Sequence, residues 1–245
     1  MSGAPPRWSV IVPAYNEAAR LPGYLKDIQA YFEGRDELYE IIVVDDGSRD
    51  ATAERVREVA AGRPGVTVRP LGENRGKGHA VRVGMAGAIG ALRLMADADG
   101  ATPIAEVARL EAAVAAGADI AIGSRALHDP AVIRQVRIHR KVSGHVFNFL
   151  VRRLGVPGVA DTQCGFKLFR GPVAAALFPL IGTDGFGFDV ELLMLAVRRG
   201  YRIVEVPVNW ADQPGSKVGV LRHGPRMLRE VLSARRRLAR GDDTK

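Results

Sequence analysis

Asp97-Ala98-Asp99-Gly100 is the stretch whose residue types and spacing point most directly to chemistry. It follows the apolar run Leu92 to Ala96, which reads as a short buried strand, and precedes a helical pattern opening at Pro103. Two carboxylates one residue apart therefore stand where a strand ends. In an open α/β sheet that edge is where ligands bind. Residues i and i+2 of a strand face the same way, so Asp97 and Asp99 present their oxygens together. Such a pair suits a hard divalent cation, Mg²⁺ or Mn²⁺, that also takes oxygens from a diphosphate. Gly100 lets the backbone turn sharply or a ligand approach closely. Solvated turns carry the same spacing, so the neighbours must decide.

The neighbours repeat the arrangement. Ser9 to Pro13 is an apolar β-rich run leading into Tyr15-Asn16-Glu17. Glu40 to Val44 ends at Asp45-Asp46-Gly47-Ser48. Asp119 to Gly123 closes on Ser124-Arg125. Helical spacing follows the first two, with Leu21, Leu25, Ile28 and Phe32, then Ala53, Val56 and Val59. A third strand, Val66 to Val68, precedes Gly76-Lys77-Gly78 and a helix from His79 to about Ile89. This β-α-β-α-β alternation predicts a Rossmann-like, mostly parallel sheet with helices on both faces. All these strand ends then share one edge, a nucleotide-sized crevice carrying acids, an aromatic ring and a guanidinium.

Asp45 or Asp46 at that edge suits a base N–H or a ribose hydroxyl, or else an N-cap for the helix at Ala51. Gly76-Lys77-Gly78 lacks the Walker A pattern, but a glycine-flanked lysine before a helix can still approach a phosphate or the base. A plain surface turn is the other reading of that loop.

The 245 residues, 47% hydrophobic and 25% charged, fit a single globular domain over 1–245. One cysteine, Cys164, excludes an internal disulfide and a multi-cysteine zinc site. The five histidines form no metal-ligand spacing. The longest uncharged run, Gly171 to Thr183, has 13 residues and two prolines, short of the roughly 20 apolar residues of a membrane-spanning helix. Of the net charge of +8, six basic residues fall between Pro130 and Gly155 without an acid, and seven arginines with one glutamate fall between Arg222 and Arg240. Two basic stretches point to an anionic partner or to solvated helix faces. Nucleic acid is disfavoured, because the aromatic–basic interleaving of single-strand binders is missing.

The second half is less regular. Helical spacing runs through Val136 to Leu154, then comes Asp161-Thr162-Gln163-Cys164-Gly165-Phe166-Lys167-Leu168-Phe169. A helix opens near Phe188-Asp189-Val190-Glu191, a strand covers Arg202 to Val206, and a basic amphipathic helix covers about 222–240.

Val12-Pro13-Ala14-Tyr15-Asn16-Glu17, Val44-Asp45-Asp46-Gly47-Ser48 and Asp97-Ala98-Asp99 resemble the marks of inverting GT-A glycosyltransferases of family 2. The Asp161 to Phe169 run, Phe188 to Leu193, and Val208-Asn209-Trp210 with Gly215-Ser216-Lys217 are similar to the dolichyl-phosphate β-glucosyltransferase branch. Ala101, where phosphomannosyl relatives tend to have Gln, favours the glucosyl branch.

The resemblance implies a single GT-A domain that transfers glucose from UDP-glucose to a polyprenyl (dolichyl-type) phosphate with inversion. It places the nucleotide sugar on Pro13, Tyr15, Glu17, Asp45, Asp46, Lys77, Asp97, Ala98 and Asp99, with Mg²⁺ or Mn²⁺ on Asp97 and Asp99. An acceptor phosphate is already anionic near neutral pH, so it needs positive charge more than a general base. Arg125, Arg140, Lys141, Lys167 and Lys217 are the candidates for that charge. Asp189 is expected to orient an arginine, contact the donor sugar or cap its helix. Together with Asp99, Arg125 and Arg140 it makes up the expected catalytic set. GDP-mannose as donor, or a soluble acceptor, remains the alternative.

In the last helix Met227, Leu228, Val231, Leu232 and Leu238 fall near one face. That pattern predicts a helix lying in the headgroup plane of an anionic membrane, with the enzyme peripheral on the cytoplasmic, inner face. A helix packed on the domain is the other reading.

Overall fold

The computed structural model describes residues 4–63, 65–135, 156, 158–213 and 220–241. Strand β1 (Trp8–Ala14) lies near the middle of the main sheet, and six of its seven residues are buried. A nearly continuous apolar run is what a strand covered on both faces requires. Going outward on one side, β1 pairs in parallel with β2 (Tyr39–Asp45), which pairs with β3 (Val66–Pro70). On the other side β1 pairs in parallel with β4 (Leu92–Ala96). Beyond β4 the chain departs from a simple alternation. β7 (Phe166–Arg170) inserts antiparallel between β4 and β5 (Ile120–Ser124), and β8 (Ile203–Pro207) closes the sheet parallel to β5. Two short strands, β6 (Arg134–Gln135) and β9 (Trp210–Ala211), pair separately.

Helices α1 (Leu21–Glu33), α2 (Thr52–Ala60) and α4 (Val107–Ala115) cover one face. Leu21, Leu25, Ile28 and Phe32 recur at helical spacing and are all fully buried there. Helices α3 (Lys77–Gly87), α5 (Gly171–Leu177) and α6 (Phe188–Arg198) cover the other. The last helix, α7 (Val220–Ala239), packs on α6.

The uncharged run Gly171 to Thr183 yields α5, which its length and prolines concealed. β7 was legible only as a motif, because its direction depends on where the chain re-enters the sheet. The helix expected over Val136 to Leu154 lies outside the described residues.

The expectation for the last helix is corrected. Met227, Val231, Ala234 and Leu238 are buried, so the apolar stripe is spent on the domain rather than left for a bilayer. Arg237 fastens it further, donating to Glu191 at 2.8 Å and to Thr183 at 3.1 Å. Arg229, Arg235, Arg236 and Arg240 point to solvent, and Leu228 and Leu232 are half-buried. No described helix is long and apolar enough to cross a membrane.

Candidate active site

The C-terminal ends of β1, β2, β4 and β5 and the start of β7 share one edge of the sheet. Asp97 follows β4. Its N–H donates to the Gly165 carbonyl at 3.0 Å, and its Oδ1 lies 2.6 Å from Lys77 Nζ. Gly165 leaves the room this needs, since a Cβ there would fall 2.0 Å from Asp97 Oδ2. Asp99 accepts the Ala101 N–H at 3.1 Å, and its Oδ2 lies 3.9 Å from Arg20. Burial, with the neighbouring Asp97 charge, raises the Asp99 carboxyl above its ordinary value.

Lys77 opens α3 and is placed by Asp46. Both Asp46 oxygens are engaged, one by the Arg75 N–H at 3.0 Å and one by the Gly76 N–H at 2.8 Å. Burial still raises the Asp46 carboxyl, outweighing those donors. Gly76 has φ +117°, and a Cβ there would meet the Asp184 carbonyl at 2.5 Å. Only glycine combines that left-handed backbone with so close an approach. Burial alone would lower the Lys77 ammonium, but the charges of Asp97 and Asp189 raise it above the ordinary lysine value.

The β1–α1 loop is tied to the β2–α2 loop. Asn16 donates its N–H to Ser48 Oγ at 2.8 Å and accepts the Arg49 N–H at 2.7 Å. Glu17 donates its N–H to Thr52 Oγ1 at 2.8 Å and grips Arg20 with both carboxylate oxygens at 2.6 and 2.7 Å. Neither Asp45 nor Asp46, at the end of β2, caps α2. Asp45 accepts from the Ser48 N–H and hydroxyl, while Asp50 takes the Thr52 N–H at 3.1 Å.

Together these loops line a cleft of about 510 Å³, within the range of small-molecule sites. Pro13, Tyr15, Glu17, Asp46, Lys77, Asp97, Ala98 and Asp99, all expected at the donor, line it. Asp45 lies behind that lining, buried. The cleft also takes in Gly185, Phe186, Arg226, Met227 and Glu230. The sequence read Met227 and its neighbours as faces of an amphipathic helix and marked none of the last three for the cleft. Their signal as a charged, apolar helix read as a surface, and only its docking on α6 brings them to the edge.

A second group of charges stands toward β5. Arg125 forms a two-pronged pair with Asp161, Nε to Oδ2 at 2.7 Å and one terminal nitrogen to Oδ1 at 2.8 Å, over the Trp210 ring at 5.6 Å. Asp161 is aimed by β8, because Glu205 accepts the N–H groups of Ala160 and Asp161 at 2.6 and 2.9 Å. Asn209 ties the same region to the turn just before α4 through Glu106 at 2.6 Å. Burial alone would raise the Asp161 carboxyl, but the Arg125 charge and hydrogen bonds hold it below the usual carboxylate range.

Lys167, expected at the acceptor phosphate, exposes no surface to meet one, which corrects that expectation. It is fully buried within β7, donating to the Cys164 carbonyl at 2.6 Å and paired with Asp189. Asp189, itself buried at the start of α6, thus holds a lysine rather than an arginine. Its partner sits in a strand between β4 and β5, a placement that only the antiparallel insertion produces. Cys164 lies beside it, buried, with its thiol pushed up to about 11 by burial. Arg140, Lys141 and Lys217 lie outside the described residues.

The acids fit a divalent cation in one respect. Asp97 and Asp99 form a like-charged pair with oxygen-only chemistry at the cleft wall, and a hard cation relieves their repulsion. Among the described residues no group of three or more His, Cys, Asp or Glu encloses a metal. Two protein carboxylates leave most of the coordination shell to water and diphosphate, the habit of Mg²⁺ in nucleotide sites.

A doubly covered, mostly parallel sheet with one inserted antiparallel strand, and a diacidic turn at the lip of a strand-edge cleft, define a GT-A glycosyltransferase. A profile of Glycosyl transferase family 2 matches residues 9–178, and the chain belongs to that family. It is 38% identical to the dolichyl-phosphate beta-glucosyltransferase of Dictyostelium discoideum, over 95% of this chain and 75% of that protein. It is 44% identical to the Drosophila melanogaster enzyme of that name over 86% and 68%, and 39% identical to the Homo sapiens one over 95% and 76%. Among solved structures, glucosyl-3-phosphoglycerate synthase from Mycobacterium tuberculosis with Mn²⁺, UDP and glucosyl-3-phosphoglycerate aligns with a TM-score of 0.69. That match has 20% identity and covers 94% of this chain and 78% of that one.

Proposed function

We propose that the chain transfers glucose from UDP-glucose to a polyprenyl phosphate, inverting the anomeric centre, with Mg²⁺ or Mn²⁺. The observation that carries this reading is the facing of Lys77 and Asp97 across 2.6 Å at the cleft. One cation and the diacidic turn meet there, where a nucleotide diphosphate needs both. Similarity to dolichyl-phosphate beta-glucosyltransferases supports the sugar and the lipid-phosphate acceptor.

In this reading Asp97 and Asp99 hold the metal, which when bound supplies positive charge to the leaving diphosphate. Lys77 adds a fixed charge to the same oxygens. Pro13, Tyr15 and Glu17 shape the nucleotide end, and Asp46 holds the Lys77 loop. Arg125, oriented by Asp161, draws the acceptor phosphate toward the donor carbon, with Arg140, Lys141 and Lys217 as further candidates. The acceptor is an anion already, so positioning and charge balance account for the rate. Asp189 acts indirectly, through the buried charges of Lys167 and Lys77.

Turnover of UDP-glucose with a short polyprenyl phosphate in detergent, run beside GDP-mannose and with EDTA, tests the reading. Acid-labile lipid-linked glucose that disappears with EDTA is expected. Product from GDP-mannose alone overturns the donor, and nucleotide binding with transfer only to a soluble phosphorylated compound overturns the lipid acceptor.

The acceptor places the enzyme at a membrane, and the outward arginines of α7 offer charge for an anionic, cytoplasmic leaflet. Because the apolar stripe is buried, contact of this kind is electrostatic. Flotation with anionic vesicles therefore falls steeply between low and physiological salt. Salt-independent flotation overturns that mode of contact.

A further inference from the structure

Glu230 is the acid that α7 brings into the donor cleft, and its carboxylate is fixed. Oε2 accepts the Gly187 N–H at 2.9 Å, and Oε1 accepts from Arg226 Nε at 3.1 Å. Gly185-Phe186-Gly187 wraps around it. A Cβ at Gly185 would fall 2.2 Å from Oε1, and one at Gly187 would fall 2.7 Å from the Glu230 Cβ. The positive end of α6 and the Arg226 guanidinium both favour negative charge at this point.

The other acids of the cleft already have work. Glu17 grips Arg20, Asp46 holds the Lys77 loop, and Asp97 and Asp99 form the diacidic turn. A carboxylate oxygen has two lone-pair sites, so the bonds from Gly187 and Arg226 leave Glu230 capacity for further donors from a ligand in the cleft. A diphosphate has none to offer and is repelled. The parts of a nucleotide sugar that do offer donors are the base N–H and the hydroxyls of the sugar. The base end has its own acidic and aromatic wall in the β1 and β2 loops.

We propose that Glu230 accepts hydrogen bonds from the hexose hydroxyls of the donor, making the last helix a specificity element of the donor site. This rests on the nucleotide-sugar reading above. It assigns the helix a role that its amphipathic sequence hid, and it makes loss of α7 a donor defect as well as a membrane defect.

Calorimetric binding of UDP and of UDP-glucose, both with Mn²⁺, to the full chain and to Glu230→Ala and Glu230→Gln tests it. UDP carries the base and diphosphate but no hexose. In Glu230→Ala, UDP affinity stays within about twofold while UDP-glucose weakens about tenfold to a hundredfold, the loss expected for hydrogen bonds to a charged group. Glu230→Gln keeps an acceptor for Gly187, keeps the wild-type melting temperature and falls between. Parallel loss of UDP and UDP-glucose overturns the proposal in favour of a base contact or a purely structural role. Unchanged UDP-glucose binding overturns it too. A wild-type chain that binds neither compound removes the donor reading itself, and with it the proposal.

Discussion

The Asp97 carboxylate is packed against the bare Cα of Gly165, where a methyl group would stand 2.0 Å from Oδ2. The two residues also share the bond from the Asp97 N–H to the Gly165 carbonyl. The first acid of the diacidic turn is therefore positioned by the residue that leads into the strand inserted beside it.

Gly165→Ala should push the Asp97 carboxylate away from Lys77 while β7 keeps its place. Turnover is expected to fall by about a hundredfold or more, the scale of losing one preorganised electrostatic contact. Steady-state kinetics with a circular dichroism melt checks this. A variant with normal kcat would show that the contact has no catalytic consequence.

Asp99→Asn removes one of the two negative charges at the cleft wall and one metal oxygen. Binding of Mn²⁺ in the presence of UDP, followed by electron paramagnetic resonance, should weaken at least tenfold. The melting temperature should hold or rise, since burial and the Asp97 charge already disfavour the Asp99 carboxylate.

Lys167→Met leaves Asp189 buried without its partner. Breaking a buried pair costs about 3–5 kcal/mol, so denaturant unfolding should shift strongly. The double variant Lys167→Met with Asp189→Leu should recover much of that loss. A Lys167→Met variant of normal stability with a raised acceptor KM would instead return Lys167 to the acceptor site.

Asp161 gives the pH dependence. Its folded-state carboxyl is lowered by Arg125, so its stabilisation is fully present above the unfolded value of about 3.9 and is lost as pH falls through the lower folded value. Wild type and Asp161→Asn should differ in melting temperature by a constant amount from about pH 7 to pH 5, and the gap should close below about pH 4. A gap that widens in acid would reverse the sign.

Much of the cleft lining was legible in the sequence. Asp97, Asp99, Tyr15, Glu17 and Asp46 each follow an apolar run, and parallel strands must end on one edge, so local pattern sufficed to gather them at the cleft. The buried face of α1 follows from its helical periodicity, and the burial of β1 from its unbroken apolar run. Lys167 shows where such reasoning stops. A lysine after Gly165-Phe166 looks the same whether it faces solvent or a buried carboxylate, and only the antiparallel entry of β7 between β4 and β5 puts its ammonium against Asp189.

The last helix makes the same division. Its sequence determined a helix with an apolar stripe and a surplus of arginine, because 3.6-residue periodicity is local. Which surface that stripe covers is a long-range matter. Docking on α6 buried Met227 and Val231, turned Arg229, Arg235, Arg236 and Arg240 outward and carried Glu230 to the two glycines at the cleft. Hydrophobic burial has no direction written into a helix, so a bilayer and a protein surface satisfy the same pattern, and the tertiary structure chose between them.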